Sequence, residues 1–227
     1  MKKAFVLFAL GLVLQGNLSA QISEYIYPNS DSPSYSNYGT TGLIQMPSAR
    51  FYEEGTIGFT WSHLDPYLRG SIMAYPFDWF EASYHYTDIN NALYSDVRSF
   101  SGSQTYKDKG FDVKFRLLAE SGNLPGIAVG VRDIAGTGTF AAEYIVASKY
   151  IDIPTNFFLS NFISTVDLSF GLGWGDLSHN NFKNPLTKFD QSFDERTFIQ
   201  DTQGGDFSPG RYFSGPMGAF AGIEIPI

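Results

Sequence analysis

The chain has 227 residues, a formal net charge of −8 and no cysteine, and aromatic residues make up 17% of it. This length predicts one or two domains, and an acidic chain without a basic cluster is not expected to bind nucleic acid. The lack of cysteine excludes disulfide and thiol chemistry, while the abundance of Phe, Tyr and Gly favours a β-rich fold.

The first twenty residues have the organisation of a cleaved secretory signal peptide. Lys2 and Lys3 precede the apolar run 4–14, and small residues follow up to Ala20, where cleavage is expected. The apolar run is too short for a membrane-spanning helix, which needs about 20 residues. We therefore predict that the protein is exported.

Residues 21–55 are predicted to form a flexible lead-in and a plug segment ahead of a β-barrel domain at 56–227. The stretch up to residue 38 is rich in Ser, Asn, Pro and Tyr without periodicity, which is typical of a flexible segment. The segment TTGLIQMPSAR (40–50) is neither strand-like nor of low complexity. We expect it to enter the barrel as a small plug, with Arg50 near acidic residues of the interior.

Eight stretches of period-two alternation follow, and each is typical of a β-strand with one apolar and one polar face. They lie at 57–62, 68–75, 80–87, 111–117, 127–132, 143–147, 166–174 and 219–225. Strands of roughly 8–11 residues suit a tilted crossing of a membrane. The glycine-rich stretch between the fifth and sixth strands lacks the Lys of a phosphate-binding loop, so we predict a hairpin turn there.

The connections between the strands also point to a membrane barrel. Long connections follow the third strand (89–109) and the seventh strand (177–216), whereas short ones follow the second and fourth. In an antiparallel meander both long connections fall on one side, as in outer-membrane barrels with long outer loops. We predict an all-β fold, an antiparallel outer-membrane β-barrel with about eight strands visible, or the first part of a larger or tandem barrel.

The chemistry of the two faces predicts which one contacts lipid and which one lines the interior. The apolar face is nearly uncharged and has aromatic residues near strand ends, as in the interfacial girdles of membrane barrels. The polar face is expected to form a network of ion pairs in a narrow lumen. Its candidate members are Arg69, Glu81, Asp112, Lys114, Arg116, Arg132, Glu143, Lys149 and Asp167. A secreted β-sandwich adhesin also alternates and is the second interpretation.

Signals for catalysis, cofactors and metals are weak. The three histidines lack the spacing of zinc ligands, and the G-x-S-x-G elbow of serine hydrolases is missing. Four carboxylates would face one another across a barrel and suit glycoside hydrolysis: Glu81, Asp112, Glu143 and Asp167. Because basic residues lie beside them, we predict ion pairing and no catalytic, cofactor or metal site, with a polysaccharide-modifying enzyme as the alternative.

The long connection after the seventh strand is a candidate glycan-binding loop. Its aromatic rings are spaced among Asn, Asp, Gln and Gly, which together suit the apolar faces and hydroxyl groups of sugars. The candidate contacts are Phe182, Phe189, Phe193, Phe198 and Tyr212. The alternative is that these rings pack the loop onto itself over the mouth of the barrel.

Six segments in fixed order resemble the YjbH family, outer-membrane proteins of exopolysaccharide production that are related to the group 4 capsule protein GfcD. The segments are GTTGLIQMPSAR (39–50), PFDWFEASYHYTD (76–88), YKDKGFDVKFRLL (106–118), LPGIAVGVRDIAGTG (124–138), EYIVASK (143–149) and LGWGDL (172–177).

The resemblance implies an outer-membrane β-barrel of a Gram-negative bacterium that assists exopolysaccharide or capsule production or export by binding or conducting glycan. It also implies three partners: outer-membrane lipid, the exopolysaccharide and other proteins of the exopolysaccharide operon. Family members are several times longer and look like two barrels in tandem. The resemblance therefore implies that this chain is the N-terminal portion of such a protein, truncated at its C-terminus.

Overall fold

The computed structural model describes residues 32–154, 156, 163–179, 182–196 and 211–225. Within these residues the fold is all-β, and from Pro33 onward they belong to one compact unit. The strands are β1 (Gly42–Leu43), β2 (Met46–Pro47), β3 (Ile57–Leu64), β4 (Tyr67–Phe77), β5 (Phe80–Leu93), β6 (Thr105–Leu118), β7 (Gly126–Arg132), β8 (Ala142–Asp152), β9 (Thr165–Gly175) and β10 (Met217–Glu224). The predicted signal peptide lies outside the described residues, and the predicted domain limits stay predictions.

The eight long strands, β3 to β10, form one antiparallel sheet in which neighbours in sequence are neighbours in space. All eight predicted strands are confirmed. The sheet curls into a half-barrel that stays open. In the described part of the chain the two edge strands, β3 and β10, each pair with one neighbouring strand, and Met217 at the start of β10 also forms a bridge with Phe182. The small hairpin β1–β2 precedes this sheet and forms a second, two-stranded sheet.

The connection between β7 and β8 is a hairpin, as predicted. Gly138 has a φ of 80°, the left-handed conformation that favours glycine. Gly136 is required for a different reason, because its φ is not positive. A Cβ at this position would lie 1.8 Å from Asp133 Oδ1 and 2.3 Å from the carbonyl oxygen of Lys109. Gly136 thus allows the hairpin connection to approach β6 closely.

The predicted loop 89–109 is shorter than expected, because β5 and β6 both extend into it. The ladder continues from Asp88 opposite Lys107 to Leu93 opposite Thr105. Thr105 Oγ1 donates a hydrogen bond of 2.5 Å to Asp88 Oδ1, and the Lys107 ammonium pairs with the same carboxylate. Polar cross-strand pairs stabilise this extension, which has no apolar alternation that would reveal it in the sequence.

The structure corrects the predicted faces of β8. Ser148 pairs with Ser169 across the ladder, and their hydroxyl oxygens are 2.7 Å apart on the concave polar face of the sheet. Because side chains alternate, Tyr144 and Val146 also lie on this face, where each is 1% exposed. They pack against Ala49 and Ala128. The sequence predicted the opposite orientation because apolar residues were assigned to the convex face.

Among the residues that the structure describes, helical structure is limited to short pieces in the connections. The four-residue helix α1 (Arg98–Ser101) lies between β5 and β6, and two 3-10 turns, Pro185–Lys188 and Gln191–Phe193, lie between β9 and β10. Across the described ranges, no helix is both long enough and apolar enough to cross a membrane.

Candidate functional site

The concave face of the sheet contains the buried ionic residues, and the convex face contains exposed apolar ones. Eight ionisable side chains on the concave face belong to residues at most 3% exposed: Arg69, Glu81, His85, Asp108, Asp112, Lys114, Arg132 and Asp167. Eight apolar side chains on the convex face belong to residues at least 50% exposed: Ile57, Phe59, Trp61, Ile72, Phe111, Leu117, Phe170 and Ile223. This distribution is the reverse of that in water-soluble proteins.

Residues 33–52, which we call the inserted segment, lie against the concave face. The backbone N–H of Ala49 donates to Ser148 Oγ at 2.8 Å, and the Gln45 carbonyl oxygen accepts from Arg132 Nη2 at 3.0 Å. Ser62 Oγ donates to the carbonyl oxygen of Asn37 at 3.2 Å. These bonds satisfy backbone groups of the segment and polar side chains of the sheet at the same time.

The centre of the inserted segment is held by a buried ion pair. Lys114 Nζ lies 2.5 Å from Glu81 Oε2, and neither side chain is exposed. The backbone N–H of Thr41 donates to Glu81 Oε1 at 3.0 Å, and the Thr41 hydroxyl contacts both charged groups. Lys114 also donates to the Arg50 carbonyl oxygen at 2.9 Å. Both charges therefore have the additional hydrogen bonds that a buried pair requires.

The end of the inserted segment is held by Arg50. Its Nε and Nη2 atoms donate to the two oxygens of Asp167 at 2.7 and 2.6 Å, the bidentate geometry that guanidinium favours. Nη1 lies 2.5 Å from Glu120 Oε2, and Lys149 Nζ lies 2.6 Å from Glu120 Oε1. Burial opposes ionisation of Glu120, but hydrogen bonds from Lys149 and Arg50 outweigh it and hold its pKa below the ordinary value.

Tyr38, Arg69 and Arg132 form what we call the arginine–tyrosine cluster. The Tyr38 ring centroid is 4.1 Å from Arg132 Cζ and 4.5 Å from Arg69 Cζ, which are cation–π distances. Arg69 Cζ also lies 4.5 Å from the Tyr67 ring and 4.9 Å from the Phe140 ring. Burial, partly offset by both arginines, raises the pKa of Tyr38 to about 12.

An acidic cluster surrounds His85. Its Nε2 is 3.3 Å from Asp108 Oδ2, and its Nδ1 is 3.5 Å from Asp112 Oδ1. The backbone N–H of Asp133 donates to Asp112 Oδ1 at 2.8 Å. Burial, followed by the charge of Asp108, raises the pKa of Asp133 to about 6. In the ranges that the structure describes, no group of three or more His, Cys, Asp or Glu residues is arranged to hold a metal ion.

The predicted lumen residues therefore separate into three groups. Six of them lie on the concave face and are buried, namely Arg69, Glu81, Asp112, Lys114, Arg132 and Asp167. Arg116 is on the same face but half-buried, with its Nη1 3.8 Å from Asp78. Glu143 and Lys149 share the convex face, because Glu143 pairs with Trp174 and Lys149 with Leu168 across the ladder.

Glu143 is buried although it lies on the convex face. Arg196 donates to its two carboxylate oxygens at 2.6 and 2.8 Å, and the backbone N–H of Phe213 donates at 3.0 Å. The Phe213 ring meets Trp174 edge-on at 5.1 Å. Residues of the β9–β10 connection thus cover this end of the convex face, which explains why the sequence alone misplaced Glu143 in the lumen.

The predicted glycan-binding aromatic residues are not all equally accessible. Phe182 is 50% exposed and Phe189 is 86% exposed. Phe193 and Tyr212 are half-buried, and the Tyr212 hydroxyl donates to the Ile134 carbonyl oxygen at 2.9 Å. Phe198 lies outside the described residues. Glycan binding by this loop stays a prediction.

Asp108 and Tyr38 were missed as members of the interior network. His85 lies in FEASYHYT on the polar side of the alternation, so its inward-facing position can be predicted from the sequence. Asp108 lies in the part of β6 that was predicted as loop. No local pattern shows that Tyr38 contacts Arg69 and Arg132, since the contact joins residues 31 and 94 positions apart along the chain.

The fold and the interior define a class of all-β protein. The concave face of its sheet is ionic and is covered by the inserted segment, and the convex face is apolar. The chain belongs to the YjbH family: the family model described as "Exopolysaccharide biosynthesis protein YbjH" matches residues 34–225. It is 40% identical over 225 residues to "Uncharacterized lipoprotein YjbH" of Escherichia coli K12. This match covers 99% of the chain but 30% of the relative, so the chain spans less than a third of that protein's length. No solved structure matches the chain.

Proposed function

We propose that the chain forms a wall of an outer-membrane β-barrel that takes part in exopolysaccharide production or export by binding or conducting glycan. The observation that carries the proposal is the polarity of the sheet, with ionic side chains buried on the concave face and apolar ones exposed on the convex face. In water such an apolar surface promotes association. In a bilayer it is the surface that lipid covers.

Aromatic residues at both ends of the convex face support the membrane placement. At the β4–β5 turn, the rings of Phe77 and Trp79 stack at 5.2 Å, and those of Phe80 and Phe115 meet at 5.0 Å. Towards the other end, Tyr86 is followed on the same face of β5 by Asp88. Aromatic residues prefer the membrane–water interface. In hydrocarbon the open edges of β3 and β10 also require pairing with further strands.

The family and the interior ion pairs support a glycan-related role without catalysis. The family description names exopolysaccharide biosynthesis, and the relative's name, a lipoprotein of a Gram-negative bacterium, favours the cell envelope. Glu81 and Asp167 are already paired with Lys114 and Arg50. Such paired carboxylates are poor candidates for the acid and base of glycoside hydrolysis, for which one carboxyl must be protonated.

Single-cysteine labelling tests the membrane placement, because the chain has no cysteine of its own. A fluorophore at Ile72→Cys or Phe170→Cys should be quenched by lipids with brominated acyl chains and not by aqueous iodide. Ser62→Cys, on the concave side of β3, is the matched control and should be insensitive to the lipid quencher. Strong iodide quenching at positions 72 and 170 would contradict the proposal.

A second experiment separates binding from catalysis. Cells that lack the gene are complemented with the Glu81→Gln or Asp167→Asn variant, and exopolysaccharide yield and the amount of folded protein are measured together. We expect yield to follow the amount of folded protein. A variant that is fully folded but releases no glycan product, when the unmodified chain does, would show that the protein is an enzyme.

A further inference from the structure

The arginine–tyrosine cluster differs from the other buried cations in its partners. Lys114 and Arg50 lie within 2.7 Å of carboxylate oxygens. Arg69 and Arg132 have no carboxylate oxygen within 4.0 Å among the residues described, and the Nε and Nη1 atoms of both lack a hydrogen-bond partner there. Each arginine residue is only 2% exposed, so bulk solvent does not reach these donors.

Burial of two guanidinium groups without an anion is unfavourable. Their contacts with aromatic rings give part of the compensation, but a buried charge needs an opposite charge and hydrogen bonds to all of its donors. Because both Cζ atoms are within 4.5 Å of the same Tyr38 ring centroid, the two positive charges also repel each other. Asp176, the acidic residue whose charge acts on Arg69, hydrogen-bonds the Tyr38 hydroxyl and forms no ion pair with either arginine.

A cavity of about 390 Å³ adjoins this cluster. Tyr38 and Gln45 both line it, and both contact Arg132, through the Tyr38 ring and the Gln45 carbonyl oxygen. Tyr38 is therefore the side chain shared by the cavity and the two arginines. Asp176 also lines the cavity and accepts a hydrogen bond of 3.1 Å from the Tyr38 hydroxyl, so the cavity has a negative charge at one side.

We infer that Arg69 and Arg132 bind the carboxylate of an acidic sugar residue of the exopolysaccharide, which enters through this cavity when the Tyr38 ring turns aside. The guanidinium fork matches a carboxylate through two parallel hydrogen bonds, and four N–H-bearing atoms are without partners for it. The inference rests on the proposed glycan role and adds the class of glycan, one that contains uronic acid.

Isothermal titration calorimetry of the purified chain in detergent tests this site with three probes. Trigalacturonate has the expected carboxylate, maltotriose is its neutral counterpart, and inorganic phosphate is a free anion. We expect trigalacturonate to bind, maltotriose not to bind, and Arg132→Met or Arg69→Met to weaken binding at least tenfold. Arg116→Met, a half-buried cation on the same face, should leave the affinity unchanged, and Asp176→Asn should increase it.

Thermal unfolding distinguishes a ligand site from a purely structural cluster. If the arginines form an anion-binding site, Arg132→Met should raise the unfolding temperature in the absence of ligand. It should also abolish the further rise in unfolding temperature that trigalacturonate causes. Arg132→Lys should keep part of that rise. A variant that is less stable without ligand and keeps the full trigalacturonate effect would overturn the inference.

Two further outcomes would also overturn it, namely equal binding of maltotriose and binding of phosphate alone. The lipid-quenching pattern does not depend on Arg69 or Arg132. If that pattern is observed and trigalacturonate does not bind, the inference is wrong but the proposed function is not.

Discussion

Replacement of Glu81 with Gln is the sharpest test of the buried ionic interior. It keeps the size of the side chain but removes the charge that lies 2.5 Å from Lys114 Nζ. Since Lys114 is unexposed, its ammonium would be left without a counter-charge. Removal of one partner of a buried ion pair costs about 3–5 kcal/mol, and we expect a loss of this size in the free energy of unfolding.

The measurement is urea unfolding in detergent micelles, followed by tryptophan fluorescence. The double variant Glu81→Gln/Lys114→Met should recover most of the loss, because an apolar replacement of the whole pair is often neutral. Asp78→Asn is the matched control: its carboxylate is 69% exposed and 3.8 Å from Arg116, so the change should stay within about 1 kcal/mol. A cost below about 1 kcal/mol for Glu81→Gln would refute the buried pair.

Three further predictions concern the connections and the inserted segment. Gly136→Ala should lower the unfolding free energy by about 1–3 kcal/mol, because its Cβ would overlap Asp133 Oδ1 and a backbone oxygen. Gly126→Ala is the control in the same urea assay, because its φ is not positive and its Cβ would make only ordinary contacts at 3.6–3.7 Å. Asp133→Asn should stabilise the protein at pH 7 but not at pH 3.5. Because the pKa of Asp133 is raised in the folded protein, its contribution to stability is lost as the pH rises from about 4 to about 6. Asn is a suitable replacement because it tolerates the φ of 53° at this position. The pKa of Glu120 is lower in the folded protein than its ordinary value. The charged carboxylate therefore stabilises the fold at pH values above the ordinary pKa, and this stabilisation is lost as the pH falls through the pKa of the folded state. Arg50→Gln removes one cause of the lowered pKa and should make the unfolding free energy less sensitive to acid below pH 4.5.

The strands were predictable because alternation is a local property of the chain. FDVKFRL (111–117) places its apolar and ionic residues on opposite faces, and the structure does the same. The orientation of β8 was not predictable in this way. Tyr144 and Val146 are apolar, yet they face inward because Ala49 of the inserted segment offers an apolar surface there. The identity of a face depends on what covers it, and the sequence of a strand does not contain that information.

The interior contacts were less predictable than the strands, since most of them join distant positions. The alternation of β5 and β6 is sufficient to place Glu81 and Lys114 on one face, and their ladder register makes them direct cross-strand neighbours. The additional partner Thr41 comes from 40 residues earlier. A similar distance separates Glu143 from Arg196, which covers it on the convex face. Such partners depend on the path of the connections, which has no periodic signal.

The inserted segment and the ionic concave face depend on each other energetically. An open half-barrel with this interior would expose Glu81, Lys114 and Asp167 to water, where ion pairs contribute little. With residues 33–52 in place, the same charges are buried and bridged by Thr41 and Arg50, and the short β1–β2 hairpin gains partners that its own two-residue strands cannot supply. The contacts of Arg50 at one end and Tyr38 at the other then fix the segment across the concave face. If glycan moves along this face, as we propose, these charged contacts must be exchanged for contacts with the glycan.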